Sequence, residues 1–275
     1  MARKSRNLKL ELEGRAASNA GAIAMQPLSA IVTCYNEEKM IGDCLASVQF
    51  ANEIIVVDSF STDRTLEIAR PLASRVLQHE YVNPAAQKNW IIPQAAREWV
   101  LILDADERVT PELEQEIKQI LSNPVSDGYW IRRRNFFWGK EIRHGTWRTD
   151  KVLRLFRRDR GRYQAKQVHE EIELSGPAGW CQQRLLHYSY RNLDDYLRKA
   201  SRYSSWGADD ARLRGVRGSP WRIVGHSFAH FFKSYFMKQG FLDGPEGLII
   251  AFMEGYSGFF KYAKLYELER NRPRP

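Results

Sequence analysis

Between Trp99 and Thr110 the chain reads WVLILDADERVT, and this stretch restricts the possible architectures more than any other. Val100, Leu101, Ile102 and Leu103 form an unbroken apolar run, the pattern of a strand buried on both faces of a parallel sheet. The run stops at Asp104-Ala105-Asp106-Glu107. In open α/β sheets, ligands bind beyond the carboxyl ends of the strands, so both aspartates stand where a ligand would. Their hard oxygens suit Mg²⁺ or Mn²⁺, ions that usually share their shell with substrate phosphates. A solvated acidic turn is the alternative for an isolated Asp-x-Asp.

The same pattern precedes it. Leu28–Thr33 reads as a first strand running into Cys34-Tyr35-Asn36-Glu37-Glu38, after which Met40, Ile41, Cys44, Leu45 and Val48 recur at helical spacing. Glu53–Val57 is a second strand ending in DSFSTD, followed by a helix from Thr65 that Pro71 limits. Arg75–Leu77 is a short third strand. A helix from Pro84 to Ala96, interrupted by Pro93, carries Gln87, Lys88 and Asn89. Beyond the acidic cluster, Thr110 and Pro111 mark a helix start, with Leu113, Ile117, Ile120 and Leu121 as its apolar stripe. Strands alternating with helices over residues 28–122 predict a doubly wound, mainly parallel α/β sheet. The first strand lacks a following G-x-G-x-x-G, which argues against a dinucleotide-binding domain.

The segments TCYNEE, VVDSFSTDRT and LDADE, in that order and each at a strand end, resemble the family 2 glycosyltransferases over residues 27–200. The resemblance implies a GT-A fold, a Rossmann-like nucleotide-sugar-binding domain with a mixed, mainly parallel sheet over 27–190. Amphipathic helices then occupy 191–275, and residues 1–26 form a basic arm. It implies that Tyr35 and Glu37 border the nucleoside and that Asp58 accepts a hydrogen bond from base or ribose. Asp63 either joins them or caps the next helix. Lys88 and Asn89 would reach the ribose and diphosphate, with Asp104 near the ribose. Asp106, with Asp104, would hold the divalent ion bridging both phosphates. His187 is the candidate third ligand, with a purely structural role as the alternative. Arg154 belongs to a core-sheet R-L-F segment and is a candidate donor contact. Lys199 and Tyr203 would lie near the diphosphate. An inverting transferase needs a carboxylate to take the acceptor proton. In Val168-His169-Glu170-Glu171 the expected base is Glu170, with Glu171 the alternative because neighbouring strand residues face opposite ways.

Charge extends the reading to partners. The net charge is +9, and between Arg132 and Lys166 thirteen Lys/Arg face three Asp/Glu, interleaved with aromatics. Such a surface favours anionic partners. Nucleic acid would fit the composition, so a nucleotide- or RNA-binding protein that keeps the fold without the chemistry is the alternative function. The preferred reading is a metal-dependent, inverting transferase moving glucose from a UDP-linked donor to a glycolipid. Resemblance to bacterial lipopolysaccharide-core glucosyltransferases suggests the phosphate-rich inner core as acceptor. Cys34, Cys44 and Cys181 show no metal-ligand spacing, and reduced thiols are expected. With neither a signal-peptide core nor an 18-residue apolar run, the expected location is the cytoplasm. Two aromatic, basic stripes would rest on the anionic inner face of the membrane, or else pack on each other and on the sheet: Val224, Phe228, Phe231 and Tyr235, then Leu248, Ile249, Phe252, Tyr256, Phe259 and Phe260.

Overall fold

Alternate residues of three buried strands divide the core in two. The computed structural model describes residues 25–164, 172–190 and 192–271. In it, β1 (Leu28–Cys34), β2 (Glu53–Asp58) and β4 (Trp99–Asp104) run parallel, with β1 between the other two. Ala30, Val32, Ile54, Val56, Leu101 and Leu103 point to one cluster; Ile31, Ile55, Val57, Val100 and Ile102 point to the other. That two-sided burial is why these segments read as continuous apolar runs. Against the first face pack α1 (Ile41–Ala46) and α4 (Pro111–Ser122), through Ile41, Cys44, Leu45, Leu113, Ile117 and Leu121. The second face is covered by α3 (Pro84–Ile91) and by the hairpin of β9 (Gly161–Tyr163) and β10 (Ile172–Leu174).

Local signals hold where they were read. Thr110 Oγ1 accepts from the Leu113 amide at 3.2 Å, with Pro111 in the first turn of α4. Asn83 caps α3, and the helix gives way at Ile92–Gln94 to a 3₁₀ turn containing Pro93. A five-residue helix, α2 (Thr65–Ala69), follows β2, and β3 (Arg75–Gln78) forms the parallel edge.

The sheet then changes character. Its order is β3-β2-β1-β4-β8-β6-β11-β5, with β5 at Glu107–Arg108, β6 at Gly128–Phe137, β8 at Lys151–Arg157 and β11 at Ala178–Tyr190. A short β7 (Lys140–Ile142) pairs with β6. β8 is antiparallel to both β4 and β6, whereas β6 and β11 are parallel. The architecture is thus the mixed sheet expected of a GT-A fold, parallel through β3-β2-β1-β4 and again between β6 and β11, with β8 antiparallel between the two parts.

The last third is helical: α5 (Leu193–Leu213), α6 (Pro220–Phe232) and α7 (Gly244–Arg270). Tyr196 on α5 hydrogen bonds to Met253 O and Ser257 Oγ on α7, and Ser227 Oγ on α6 donates to Gly255 O at 2.8 Å. Gly255 permits this approach, since a Cβ there would lie 3.1 Å from Ser227 O. Asp243 fastens the unit to the sheet domain: its carboxylate accepts from the Arg143 and His144 amides at 3.1 and 2.7 Å. Phe137, Ile142, Tyr196, Ala200, Ile250 and Met253 form the shared core, which hangs α5 and α7 over the carboxyl edge of the sheet.

Candidate active site

Because β1, β2 and β4 are parallel, their last residues emerge at one edge. Thr33 pairs in register with Asp104, and Cys34 with Asp58. There a cleft of about 1270 Å³ opens, lined by Tyr35, Glu37, Lys88, Asp104, Asp106, Arg154, His187, Lys199 and Tyr203. Nine of the residues singled out from sequence therefore face one space.

Asp104 is heavily engaged. It accepts from Thr33 Oγ1 at 3.0 Å, pairs with Lys88 Nζ at 3.2 Å, and is gripped by the Arg154 guanidinium. Burial opposes its ionisation, yet Arg154 and Lys88 outweigh that effect and hold the carboxyl well below its usual range. Arg154 also reaches Glu107 at 2.9 Å, and Glu107 accepts from Arg133 at 3.1 Å. Arg133 in turn forks onto Asp150 at 2.8 and 3.0 Å. The result is a chain of compensated charges linking β4, β8, β5 and β6.

Asp106 stands apart from that chain. The loop holding it is pinned by Ala105 N to Thr33 O at 3.1 Å and by Tyr188 N to Asp106 O at 2.9 Å. Its Oδ1 is buried and has no hydrogen-bond partner among the described residues. Its Oδ2 lies 3.7 Å from His187 Nε2. Burial raises the Asp106 carboxyl to about 7; Lys199 draws it down, while Asp104 and Glu107 push it up. The His187 tautomer follows from its neighbours. Asn135 donates its amide to Trp147 O and Asp150, so its oxygen accepts from His187 Nδ1 at 2.7 Å. Nε2 is then left with a bare lone pair directed toward Asp106. Burial, reinforced by Arg133, pushes the imidazole down to about 3, which keeps it neutral.

This pair fits a divalent cation. An orphaned carboxylate oxygen and an imidazole oriented by a second hydrogen bond are the donor set such ions take. Asp104 does not share that availability, because two cations and a hydroxyl already occupy its oxygens. No group of three His, Cys, Asp or Glu side chains closes up as a metal cage among the described residues. A cation held by Asp106 and His187 would therefore need ligand oxygens from a substrate.

Other expected contacts are placed differently. Asp58 is fully buried and serves its own turn, accepting from the Ser61 amide and Gln78 Nε2 at 3.0 Å each. Asp63 holds the loop before α2, accepting from the Thr65 and Glu38 amides at 3.0 and 3.2 Å, while Arg64 stands at the helix N-cap. Asn89 does not line the cleft; its amide clamps Tyr163 in both directions, at 2.8 and 2.9 Å. Glu170 and Glu171 lie outside the described residues, as do residues 1–24 of the basic arm. Thr33, Glu107, Arg133, Asn135 and Asp150 were not anticipated as site residues. Their signal is strand alternation in RRRN: Arg133 and Asn135 turn toward the site, whereas Arg132 lies over Trp180 and Arg134 pairs with Glu141.

The excess of cations between Arg132 and Lys166 is partly absorbed here. Arg133, Arg154 and Arg157 are each paired with carboxylates inside the protein. That leaves less of a continuous surface for nucleic acid.

Comparisons with known proteins give the family. The model for glycosyl transferase family 2 matches residues 29–182. The chain is 30% identical to the lipopolysaccharide core biosynthesis glycosyltransferase LpsC of Rhizobium meliloti, over 90% of this chain and 95% of that protein. It is 26% identical to the glycosyltransferase RT0209 of Rickettsia typhi, over 89% and 88% respectively. The solved mannosyltransferase PcManGT of Pyrobaculum calidifontis, in complex with GDP-Man and Mn²⁺, aligns at 16% identity with a TM-score of 0.47, covering 93% of this chain and 79% of that one. With the family matched over more than half its length and a transferase relative over nearly all of it, the chain belongs to glycosyl transferase family 2.

Proposed function

We propose that this transferase is inverting and uses Mg²⁺ or Mn²⁺ to move glucose from a UDP-linked donor to a glycolipid, the lipopolysaccharide inner core. One observation carries the metal and the donor: Asp106 Oδ1, without a hydrogen-bond partner among the described residues, beside the bare Nε2 of His187, where the neighbouring Lys88, Arg133, Arg154 and Lys199 are already matched by carboxylates. A diphosphate entering there meets little surplus positive charge, so a divalent ion supplies the countercharge and stabilises the departing diphosphate. Asp106 and His187 hold that ion, Lys88 and Lys199 approach the phosphates, and Arg154 keeps Asp104 ionised beside the sugar. The acceptor class rests on LpsC, whose name assigns it to lipopolysaccharide core biosynthesis.

Glu170 is the proposed base that removes the acceptor proton. Glu170→Gln keeps the size and hydrogen bonding of the side chain but cannot take a proton. Turnover is expected to fall by about 10²–10⁴-fold, with donor affinity nearly unchanged. Glu171→Gln is the comparison, and a larger loss there than in Glu170→Gln transfers the role. The product linkage, read by NMR, is expected to be inverted; retention contradicts a single displacement.

The helical unit supports a peripheral membrane position. No helix among the described residues is long and apolar enough to cross a membrane. Yet α6 buries none of its residues, and Trp221 and Phe228 on it are 87% and 66% exposed. Phe232, Phe236, Met237, Phe241 and Leu242 continue this exposed surface. From Ala211 to Leu242 the chain has no Asp or Glu but carries Arg212, Arg214, Arg217, Arg222, Lys233 and Lys238. Aromatics flanked by cations suit an anionic headgroup layer, where each basic residue adds about 1 kcal/mol. The protein is expected to sediment with anionic vesicles at low salt, to be released by high salt, and to lose at least about tenfold in partitioning in the Trp221→Ala/Phe228→Ala double variant. Equal sedimentation with neutral and anionic vesicles overturns this.

A further inference from the structure

The catalytic cleft does not end at Asp106 but continues between the three carboxyl-terminal helices. Its inner end is walled by Ser204 and Gly207 on α5, His230 on α6, and Ser257, Lys261 and Tyr262 on α7. Small residues make the room. A Cβ at Gly207 would lie 3.3 Å from Lys261 Cδ, so the Lys261 stem rests on bare α5 backbone. A Cβ at Gly258 would stand 3.5 Å from His230.

One lysine and one imidazole face this space together. Lys261 is half-buried, and no carboxylate lies within ion-pair distance of it among the described residues. Burial lowers the affinity of Lys261 for its proton, and Arg214 lowers it further against a weaker pull from Asp210. His230 is affected the same way, by burial and then by His226, Lys233 and Lys261. His226 stacks on Tyr262 with ring centroids 4.2 Å apart, which holds the Tyr262 ring in the wall. The other carboxylate facing the cleft from α7, Glu254, sits two helical turns from Lys261, roughly 10 Å along the axis, and is bonded to Thr146. The half-buried Lys261 ammonium, with the His230 ring and Tyr262 on the same wall, is a donor set that an anion would complete.

We propose that this inner groove is an acceptor subsite in which Lys261 and His230, with Tyr262, bind a phosphate or carboxylate group of the incoming acceptor. The inference rests on the transferase reading but assigns a different part of the cleft from the donor site. The groove lies between the catalytic edge and the exposed aromatic face of α6, the route by which a lipid-anchored acceptor would enter.

The test uses the full chain and three probes: inorganic phosphate, dodecyl phosphate and dodecyl maltoside, with affinity read by calorimetry. Dodecyl phosphate is expected to bind, and Lys261→Met to weaken it by tenfold or more, while Mn²⁺-dependent UDP binding stays unchanged. Lys261→Arg is expected to retain it, and His230→Gln to weaken it less than Lys261→Met. Lys261-dependent binding of inorganic phosphate as well supports a subsite for the bare anion; its restriction to dodecyl phosphate supports a lipid-linked group. Unchanged affinity in Lys261→Met, or equal binding of dodecyl maltoside, overturns the proposal. UDP binding and donor turnover are read separately, so failure of the transferase reading stays distinguishable from failure of the subsite.

Discussion

Asp106→Ala is expected to abolish Mn²⁺-dependent UDP binding and to lower turnover on the order of 10³-fold or more, because Lewis-acid stabilisation of the leaving group is worth several kcal/mol. The fold should be almost indifferent. Asp106 Oδ1 has no hydrogen-bond partner among the described residues, and burial already disfavours the charged carboxyl, so its removal strands nothing there. The melting temperature is expected to stay level or to rise slightly. Asn135→Leu provides the graded companion. It leaves His187 in place but removes the oxygen that fixes its tautomer, and loss of such a partner typically costs about 10–100-fold in metal affinity. Calorimetry showing unchanged Mn²⁺-dependent UDP affinity in Asp106→Ala defeats the assignment.

Arg154→Met is expected to act on stability as well as activity. Arg154 is 4% exposed and joins Asp104 to Glu107, which is itself fully buried. Breaking a buried pair from one side leaves an uncompensated charge and costs about 3–5 kcal/mol. Lys88 stays on Asp104 and Arg133 on Glu107, which puts the loss at the lower end. At about 3 kcal/mol the melting temperature should fall by roughly 6–12 °C. Arg154→Lys keeps the charge but cannot fork between two carboxylates, so an intermediate loss is expected. A melting temperature within about 1 °C of the parent for Arg154→Met would show that the pairing contributes nothing net.

These two residues also mark how far the sequence could be read. Asp106 was legible because its strand is buried on both faces and stops abruptly at the cluster. Periodicity placed it at the strand end, while its metal role rests on the family resemblance and stays a proposal. Arg154 was legible as part of a core strand, but its role was not, because its partners lie 47 and 50 residues away. The same holds for Asp150, which meets Arg133 from 17 residues further along. Asp58 and Asn89 have internal partners that the sequence did not reveal: Asp58 accepts from the Ser61 amide and Gln78 Nε2, and Asn89 clamps the Tyr163 backbone. In the helical unit the apolar stripes were visible, but their partners were not. Tyr256 and Ile249 pack against the core shared with α5, whereas Phe228 and Phe252 stay exposed, and periodicity cannot distinguish a face buried by protein from one left open.

Incubation of the protein with an inner-core lipopolysaccharide acceptor and a panel of UDP- and GDP-linked sugars, with Mn²⁺ or with EDTA, tests the central claim most directly. The measured quantity is nucleoside diphosphate released per protein. Release is predicted with UDP-glucose, with sugar appearing on the acceptor in inverted configuration and both signals lost in EDTA or in Asp106→Ala. Release that persists in EDTA, or none from any donor in the presence of acceptor, contradicts it.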